Sequence, residues 1–429
     1  MKIIDNPPRQ EWEALCRRNT PADAEIEAAV GQIIENVRSR GDEALLEYAG
    51  RFDGYSGGCP ELTPEEIEEA CSRVSTGVAD AIRKAAANIE AFHRAQLPPP
   101  VEVETAPGVR CLQKAVPIRR VGLYIPGGRA PLFSTVLMLA IPARIAGCRE
   151  IILCTPQHSS FPIAPEIIFA ARLCGVHRIF RIGGAQAVAA MAFGTAGIPK
   201  VDKIFGPGNR YVTKAKQMVS RYVAIDMPAG PSEVMVLADD TSVAAFVAAD
   251  MLSQAEHGPD SQAMAVCTSM DLAREIMKET DRLAGRLPRR DSIEGSLSHS
   301  RIVVLGSREE ISDFANEYAA EHLIISMRDP WEIAGRIYAA GSVFIGNHSP
   351  ESAGDYASGT NHTLPTSGWA RSYSGVNIDS FMHKITYQQL SAPGLSLLSP
   401  VITAMARAEG LDAHAMAADI RVNPDKYME

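Results

Sequence analysis

The chain alternates short apolar runs with helix-like stretches in two separate regions, and this alternation limits the folds it can adopt. The first region begins at Val116 and contains the strand-like runs VGLYIP, EIILCTP and RIFRIGG. The second opens with VMVLA at 234–238 and continues through AMAVCT to RIVVLG at 301–306. Strands that are separated by helices form parallel sheets with right-handed crossovers. We therefore expect an α/β fold with two incomplete Rossmann-like domains.

The segments outside these regions are predicted to be mainly helical. Residues 22–50 and 63–96 carry apolar residues at helical spacing, and Thr63 with Glu66 resembles a capping box. A second helical pattern runs from Pro400 to Ala418, after a polar stretch. We expect small helical extensions at the N- and C-terminal ends of the α/β core.

Composition and charge exclude several classes of protein. The 429 residues carry 42 basic and 51 acidic side chains, a net charge of -9, so neither nucleic acid nor an anionic membrane is an expected partner. The chain has no apolar run of about 18 residues, and its first residues resemble no secretory signal. The 8 cysteines include no C-x-x-C pair, which favours reduced thiols. We expect a cytoplasmic protein that acts on small molecules.

Three glycine- and proline-rich elbows are candidates for ligand-binding loops. They are YIPGGR at 124–129, GPGNR at 206–210 and PAGPS at 228–232, each beside a predicted strand or helix. Open α/β sheets bind ligands at strand ends, although such elbows also occur as plain tight turns. Neither G-x-G-x-x-G nor G-x-x-x-x-G-K-[ST] is present, so the motifs alone identify no nucleotide cofactor.

Two polar pairs near the ends of predicted helices could carry chemistry. Gln254 and His257 are three residues apart, so both could bind one metal ion, or they could be the polar end of a surface helix. Glu321 and His322 fall where a helical pattern changes to a strand. A carboxylate beside an imidazole is a plausible general-base set, and the alternative is a solvated helix end.

The polar stretch 347–384 and the last helical segment add further candidates. The stretch is rich in glycine and serine, and a loop of this length is often functional. It offers Asp355 as an oxygen ligand and His362 as an imidazole. Glu409 and His414 in the last segment could point in one direction, although both could equally be surface residues.

Several of these segments together resemble the signature blocks of the L-histidinol dehydrogenase family. The matching blocks include FGPGNRYVTKAK, IDMPAGPSEVMVLAD, LSQAEHGPDSQA, AAEHL and SAGDYASGTNHTLPT, in the family's order and over nearly the whole chain. The resemblance implies a zinc-containing homodimer with two incomplete Rossmann-like domains and small extra domains. It implies that residues 20–114 and 235–375 form one such domain, that 115–234 form an inserted NAD-binding domain, and that 1–19 and 376–429 are small extensions in the dimer interface.

Matched residue by residue, the resemblance implies one zinc ion per subunit and one acid–base pair. The acid–base pair would be Glu321 and His322. The partner subunit would supply the last of the zinc ligands, which fall on Gln254, His257, Asp355 and His414.

The resemblance also implies contacts to NAD and to the substrate. The NAD contacts fall on Tyr124, Gln186 and Asn209. The zinc ligands and the acid–base pair would touch the substrate as well. The further substrate contacts fall on Ser232, His362 and Glu409.

The implied reaction is the oxidation of L-histidinol through L-histidinaldehyde to L-histidine, with two NAD⁺. Zinc would orient the substrate. His322 would take the hydroxyl proton, and Glu321 would activate the water that attacks the aldehyde.

Two other functions agree with part of the sequence. A dehydrogenase of the same fold could act on another amino alcohol or on a sulfonated diol. Such an enzyme could keep the zinc and NAD residues and change its substrate contacts, for which His362 and Glu409 are the positions to examine. A binding protein with paired α/β lobes would need no catalysis. The Glu321–His322 pair and the missing secretory signal count against a binding protein.

Overall fold

The computed structural model describes residues 1–18, 24–127, 131–158, 162–228 and 230–428. Parts of two sequence predictions lie outside these residues. Gly128 and Arg129 belong to the first elbow and Ala229 to the third, and the predicted domain border at residue 20 is also outside.

The strands lie mainly in the two regions where the apolar runs predicted them. In chain order they are β1 (Lys2–Asp5), β2 (Val101–Ala106), β3 (Val109–Pro117), β4 (Arg120–Tyr124), β5 (Glu150–Cys154), β6 (Arg178–Phe180), β7 (Lys203–Phe205), β8 (Ala224–Ile225), β9 (Glu233–Ala238), β10 (Gln262–Cys267), β11 (Arg301–Val304), β12 (His322–Ser326), β13 (Ser342–Ile345) and β14 (Met382–Leu390).

Helices alternate with the strands in both regions and also precede and follow them. In chain order they are α1 (Trp12–Leu15), α2 (Ala24–Arg40), α3 (Asp42–Asp53), α4 (Pro64–Ser72), α5 (Thr76–Arg94), α6 (Phe133–Ala146), α7 (Pro165–Leu173), α8 (Gly184–Phe193), α9 (Arg210–Val219), α10 (Ala244–Ala255), α11 (Met270–Ala284), α12 (Arg290–His299), α13 (Arg308–Tyr318), α14 (Pro330–Ala334), α15 (Glu351–Tyr356), α16 (Ala392–Ala408) and α17 (Asp412–Val422). Short 3-10 helices lie at Arg9–Glu11, Trp369–Arg371, Ile378–Phe381 and Pro424–Tyr427.

Two parallel sheets form the core, as the alternation predicted. The six-stranded sheet has the order β1-β11-β10-β9-β12-β13, and the five-stranded sheet has the order β6-β5-β4-β7-β8. All strand pairs identified in these two sheets are parallel. The strands at the centres of the sheets are buried on both faces, which is why they read as continuous apolar runs. The expected α/β fold class is confirmed.

The helices α2 and α3, which precede the five-stranded sheet in the chain, contribute to its core. Their apolar side chains, such as Val30 and Leu45, pack in one cluster with α8 and this sheet. We expected residues 20–114 to belong with 235–375. The borders of separately folding domains stay a prediction, but these helices cover the five-stranded sheet.

The chain divides into two compact units, which consist of 1–96 with 118–381 and of 97–117 with 382–429. The second unit contains the antiparallel sheet β14-β3-β2 together with α16 and α17. We expected a C-terminal extension made only of helices, so the strand β14 within it was not predicted. At the other end, β1 falls in the expected N-terminal extension but is an edge strand of the six-stranded sheet.

One local signal in the sequence places a helix end correctly. Thr63 and Glu66 form the predicted capping box at the start of α4. The C-terminal helical pattern is interrupted at Gly410, whose φ of 73° separates α16 from α17. Among the described residues, no helix is both long enough and apolar enough to cross a membrane.

Candidate active site

The predicted acid–base pair lies at the amino-terminal edge of the six-stranded sheet. His322 is the first residue of β12 and pairs with Val234, next to Glu233 at the start of β9. Gln254 reaches the same edge because α10 must return from the end of β9 to the start of the parallel strand β10. His257 follows the end of this helix. Open sheets usually bind ligands at carboxyl ends, so strand order alone would not have located this pair.

One cavity brings most of the predicted site residues together. It lies within the first unit and is lined from both parallel-sheet halves, with Thr135 and Gly206 on the side of the five-stranded sheet. The predicted zinc, catalytic and substrate residues that line it are Ser232, Gln254, His257, Glu321, His322, Asp355 and His362.

The ring of His322 is buried and held on one side by the main chain. Its Nδ1 lies 3.2 Å from the carbonyl oxygen of Glu233, and since a carbonyl can only accept, Nδ1 donates. Its Nε2 lies 3.6 Å from Asp355 Oδ1 and has no hydrogen-bond partner among the described residues. Burial lowers the pKa of His322, but the charges of Glu351, Glu321 and Asp355 outweigh it and raise the pKa well above its usual value.

The carboxylate of Glu321 is fixed beside this ring. Its Oε2 accepts a hydrogen bond of 2.8 Å from the main-chain N–H of Glu233 and lies 3.6 Å from His322 Nδ1. The side chain is only 8% exposed. Burial raises the pKa of Glu321, and the neighbouring His322 opposes this shift. A carboxylate with a raised pKa is suited to take up a proton near neutral pH.

A cluster of ligand-type side chains adjoins the pair. The ligand atoms of His257, Glu351 and Asp355 lie within 4.8 Å of one another. His257 and Asp355 are predicted zinc ligands, while Glu351 was missed. Its signal was the spacing of four to Asp355, which places both carboxylates on one face of α15.

Glu351 also contacts Gln254, another predicted zinc ligand. It is fully buried, and burial raises its pKa well above the usual value. With the amide nitrogen of Gln254 turned toward it, Glu351 accepts a hydrogen bond from that nitrogen. Ser253 Oγ donates to the same carboxylate at 3.4 Å. Glu351 therefore adjoins both the predicted ligands and His322.

His362 links the two halves of the first unit. Its Nδ1 lies 2.9 Å from the main-chain carbonyl of Asp355 and must donate to it, so in the neutral ring Nε2 accepts from Thr135 Oγ1 at 3.0 Å. Burial lowers the pKa of His362, which favours this neutral form. Ser232 lines the cavity just before β9. Direct substrate contact by either side chain stays a prediction.

The predicted NAD contacts surround the carboxyl edge of the five-stranded sheet. Tyr124 ends β4, its hydroxyl accepts from the N–H of Gly184 at 3.1 Å, and burial raises its pKa to about 12. Gln186 is buried in α8, with no hydrogen-bond partner for its Nε2 among the described residues. Asn209 caps α9 by accepting from the N–H groups of Tyr211 and Val212.

The second elbow lies where the strand order of this sheet reverses, between β4 and β7. Gly206 follows β7 with φ of 120°, and a β-carbon there would come within 2.0 Å of the carbonyl oxygen of Tyr124. A buried ion pair that the sequence did not reveal supports this elbow. Lys216 Nζ lies 2.5 Å from Asp226 Oδ1 and donates to the Gly206 carbonyl at 2.8 Å. Such a reversal point is where doubly wound sheets bind dinucleotides.

Glu409 and His414 belong to the second unit. Glu409 follows α16 and His414 lies in α17, and both are exposed in the single chain. Their predicted roles as substrate contact and zinc ligand stay predictions.

The fold and this cavity together define an α/β protein in which a buried carboxylate–imidazole pair shares one cavity with the carboxyl edge of a second parallel sheet. A family model described as Histidinol dehydrogenase matches residues 16–422. The chain therefore belongs to the histidinol dehydrogenase family, and the expected class of enzyme, a dehydrogenase, is confirmed. This result excludes the reading as a binding protein without catalysis.

Individual relatives agree with the family match. The chain is 55% identical over 423 residues to the histidinol dehydrogenase of Bacteroides fragilis, which covers 98% of this chain and 99% of the relative. It is 51% identical over 419 residues to that of Salmonella typhimurium, at 97% and 96% coverage. A crystal structure of histidinol dehydrogenase from Elizabethkingia anophelis superposes with a TM-score of 0.96, at 47% identity and 99% coverage of both chains.

Proposed function

We propose that this chain oxidises L-histidinol through L-histidinaldehyde to L-histidine, using two NAD⁺ and one zinc ion per subunit. One observation carries the proposal. A buried carboxylate–imidazole pair, Glu321 and His322, lines a cavity that is also lined by His257 and Asp355 of the candidate metal-ligand cluster. Proton transfer and substrate orientation are thereby available at one place.

The donor set fits a zinc ion on electrostatic grounds. Three carboxylates surround the ring of His322: Glu321 and Glu351 are buried and Asp355 is partly buried. Buried negative charge is costly unless it is compensated, and a divalent cation would compensate it. Gln254, His257 and Asp355 would hold the ion together with His414 of a second subunit. Bound zinc would orient the imidazole and amine of the substrate as a Lewis acid.

The carboxyl edge of the five-stranded sheet fits NAD. Gly206 has no side chain, which lets the loop after β7 pack against the main chain of Tyr124 at this edge. The Nε2 of Gln186, which has no partner among the described residues, offers a buried donor. Tyr124 and Asn209 would complete the contacts. Bound NAD⁺ would accept the hydride in each oxidation.

His322 would act as the base in both oxidations. Glu233 occupies its Nδ1, so Nε2 is the nitrogen that can accept the substrate's hydroxyl proton. The positive charge of a zinc ion held by Asp355 would oppose the carboxylates that raise the pKa of His322. The pKa would then fall, which would favour the neutral ring that can accept a proton. Ser232, His362 and Glu409 would position the polar groups of the substrate.

Glu321 would act only in the second oxidation. Its carboxylate would take a proton from the water that attacks the aldehyde, while His322 would return the proton from the first oxidation to the former carbonyl oxygen. The resulting gem-diol would then lose a hydroxyl proton to His322 as its hydride leaves for the second NAD⁺. A buried cavity would retain the aldehyde between the two oxidations and limit its loss to solvent.

Assembly and location complete the proposal. The chain would act as a homodimer in which His414 reaches the site of its partner, and it would act in the cytoplasm on a small-molecule substrate.

Counting NADH tests the reaction directly. Zinc-loaded protein should form two NADH for each L-histidinol, lose this activity on chelation and regain it with added zinc. The measurement is absorbance of NADH against limiting histidinol. No turnover of histidinol by protein that still binds zinc would contradict the substrate, and amino alcohols and sulfonated diols would be assayed next.

Glu351→Gln tests the neighbour of the proposed metal site. Glutamine keeps the size of the side chain but cannot carry the negative charge that a cation would stabilise here. We expect the affinity for zinc to fall by about 10- to 100-fold, as for other groups that support metal ligands. Competition with a chelator measures this affinity. Glu332→Gln removes an equal charge from a side chain that is 57% exposed, and it should leave zinc binding unchanged.

A further inference from the structure

Both members of the acid–base pair depend on the main chain of one residue. The N–H of Glu233 donates to Glu321 Oε2 at 2.8 Å and, with the Gln254 amide turned toward Glu351, also to the Gln254 oxygen at 2.8 Å. The carbonyl oxygen of Glu233 lies 3.2 Å from His322 Nδ1. The contacts to the pair fix the carboxylate and determine which ring nitrogen faces Asp355. A small displacement of Glu233 would therefore disturb both residues together.

The side chain of Glu233 is held by an arginine from the N-terminal segment. Arg18 donates through Nε to Oε1 at 2.9 Å and through Nη2 to Oε2 at 2.8 Å. The side chains of Arg18 and Glu233 are 12% and 1% exposed. The N–H of Ser367 also donates to Oε1 at 2.6 Å. A two-point ion pair of this kind fixes orientation as well as distance.

Arg18 is itself anchored to the helix that precedes the pair. Its Nη2 donates to the carbonyl of Tyr318 at 2.6 Å, and its guanidinium lies 3.7 Å from the centre of the Tyr318 ring. Tyr318 ends α13, three residues before Glu321, and its hydroxyl donates to Gln262 at 2.8 Å. Arg18 thus connects the start of β9 with the end of α13, and the acid–base pair follows α13 in the chain and lies at the start of the strand next to β9.

We propose that Arg18, through its ion pair with Glu233, is a positioning residue for Glu321 and His322. Arg18 is absent from the described residues that line the cavity, so it acts on the pair and not on the substrate. One residue of the N-terminal segment is thereby tied to the geometry of the pair. The inference concerns the geometry of the pair, and only its kinetic readout rests on the proposed function.

Arg18→Gln leaves the Glu233 carboxylate buried without its cation. We expect kcat to fall by about 10- to 100-fold in the oxidation of both histidinol and histidinaldehyde, while KM changes less than about threefold. The loss should be similar in both oxidations because Glu233 holds both residues of the pair. Arg18→Lys should recover part of the loss, since an ammonium group restores the charge without the two-point geometry.

Arg9→Gln is the matched control. Arg9 is in the same segment and pairs with Asp313 at 2.8 Å, but its side chain is 74% exposed. It should keep wild-type kcat, KM and melting temperature. If Arg18→Gln does not fold, Arg18→Lys decides the question, and wild-type kcat in Arg18→Lys would then refute the inference.

A crystal structure of the variant separates this inference from the proposed function. In Arg18→Gln, or in Arg18→Lys if only that variant folds, the distance from Glu233 N to Glu321 Oε2 should exceed about 3.5 Å. An unchanged distance overturns the inference, whatever the substrate is. A wild-type protein that does not oxidise histidinol overturns the proposed function alone.

Discussion

Glu321→Gln should slow the oxidation of histidinaldehyde by about a hundredfold or more, while the oxidation of histidinol changes by less than about tenfold. The difference arises because only the second oxidation consumes water. Glutamine has nearly the same shape and can still accept from the N–H of Glu233, but it cannot take a proton from water. The two rates are measured separately, with histidinol and with histidinaldehyde as substrates.

His322→Asn provides the contrast to this variant. If His322 is the base in both oxidations, both rates should fall together by about 100- to 10,000-fold. Equal losses in the two oxidations for Glu321→Gln would instead show that Glu321 serves His322 and does not activate water.

The strands of the core could be predicted because burial on both faces leaves little freedom in their composition. VMVLA at 234–238 is apolar throughout because β9 is a central strand that packs against helices on both faces. The strand β14, MHKITYQQL, was missed for the opposite reason. Nearly all of its residues are exposed in the single chain, so its sequence shows no buried face.

The candidate site residues were predicted through family motifs more than through spacing. Glu321 and His322 are adjacent in sequence, and the structure also places Gln254, His257 and Asp355 at the same cavity. The fold also brings together residues whose contact the sequence could not predict. Arg18 and Glu233 are 215 residues apart, and no local pattern in either segment indicates that they meet.

The proposed place of His414 in the partner's site predicts the second large effect: two inactive variants should regain activity when their subunits are mixed. Gln254→Asn and His414→Asn should each abolish most activity, because each removes a proposed zinc ligand. If His414 acts in the partner's site, a mixed dimer has one site with both defects and one intact site. Random re-association of equal amounts should then restore about a quarter of wild-type activity.

The control for this experiment uses two defects on the same side of the site. Gln254 and Asp355 both lie in the first unit and line one cavity, so every site in a Gln254→Asn and Asp355→Asn mixed dimer carries one defect. This mixture should stay inactive, and the assay is NADH formation after verified subunit exchange. If the His414→Asn mixture also stays inactive, His414 serves its own subunit. Because mixing creates no new side chain, regained activity has one physical source, the meeting of an intact Gln254 with an intact His414 across the interface.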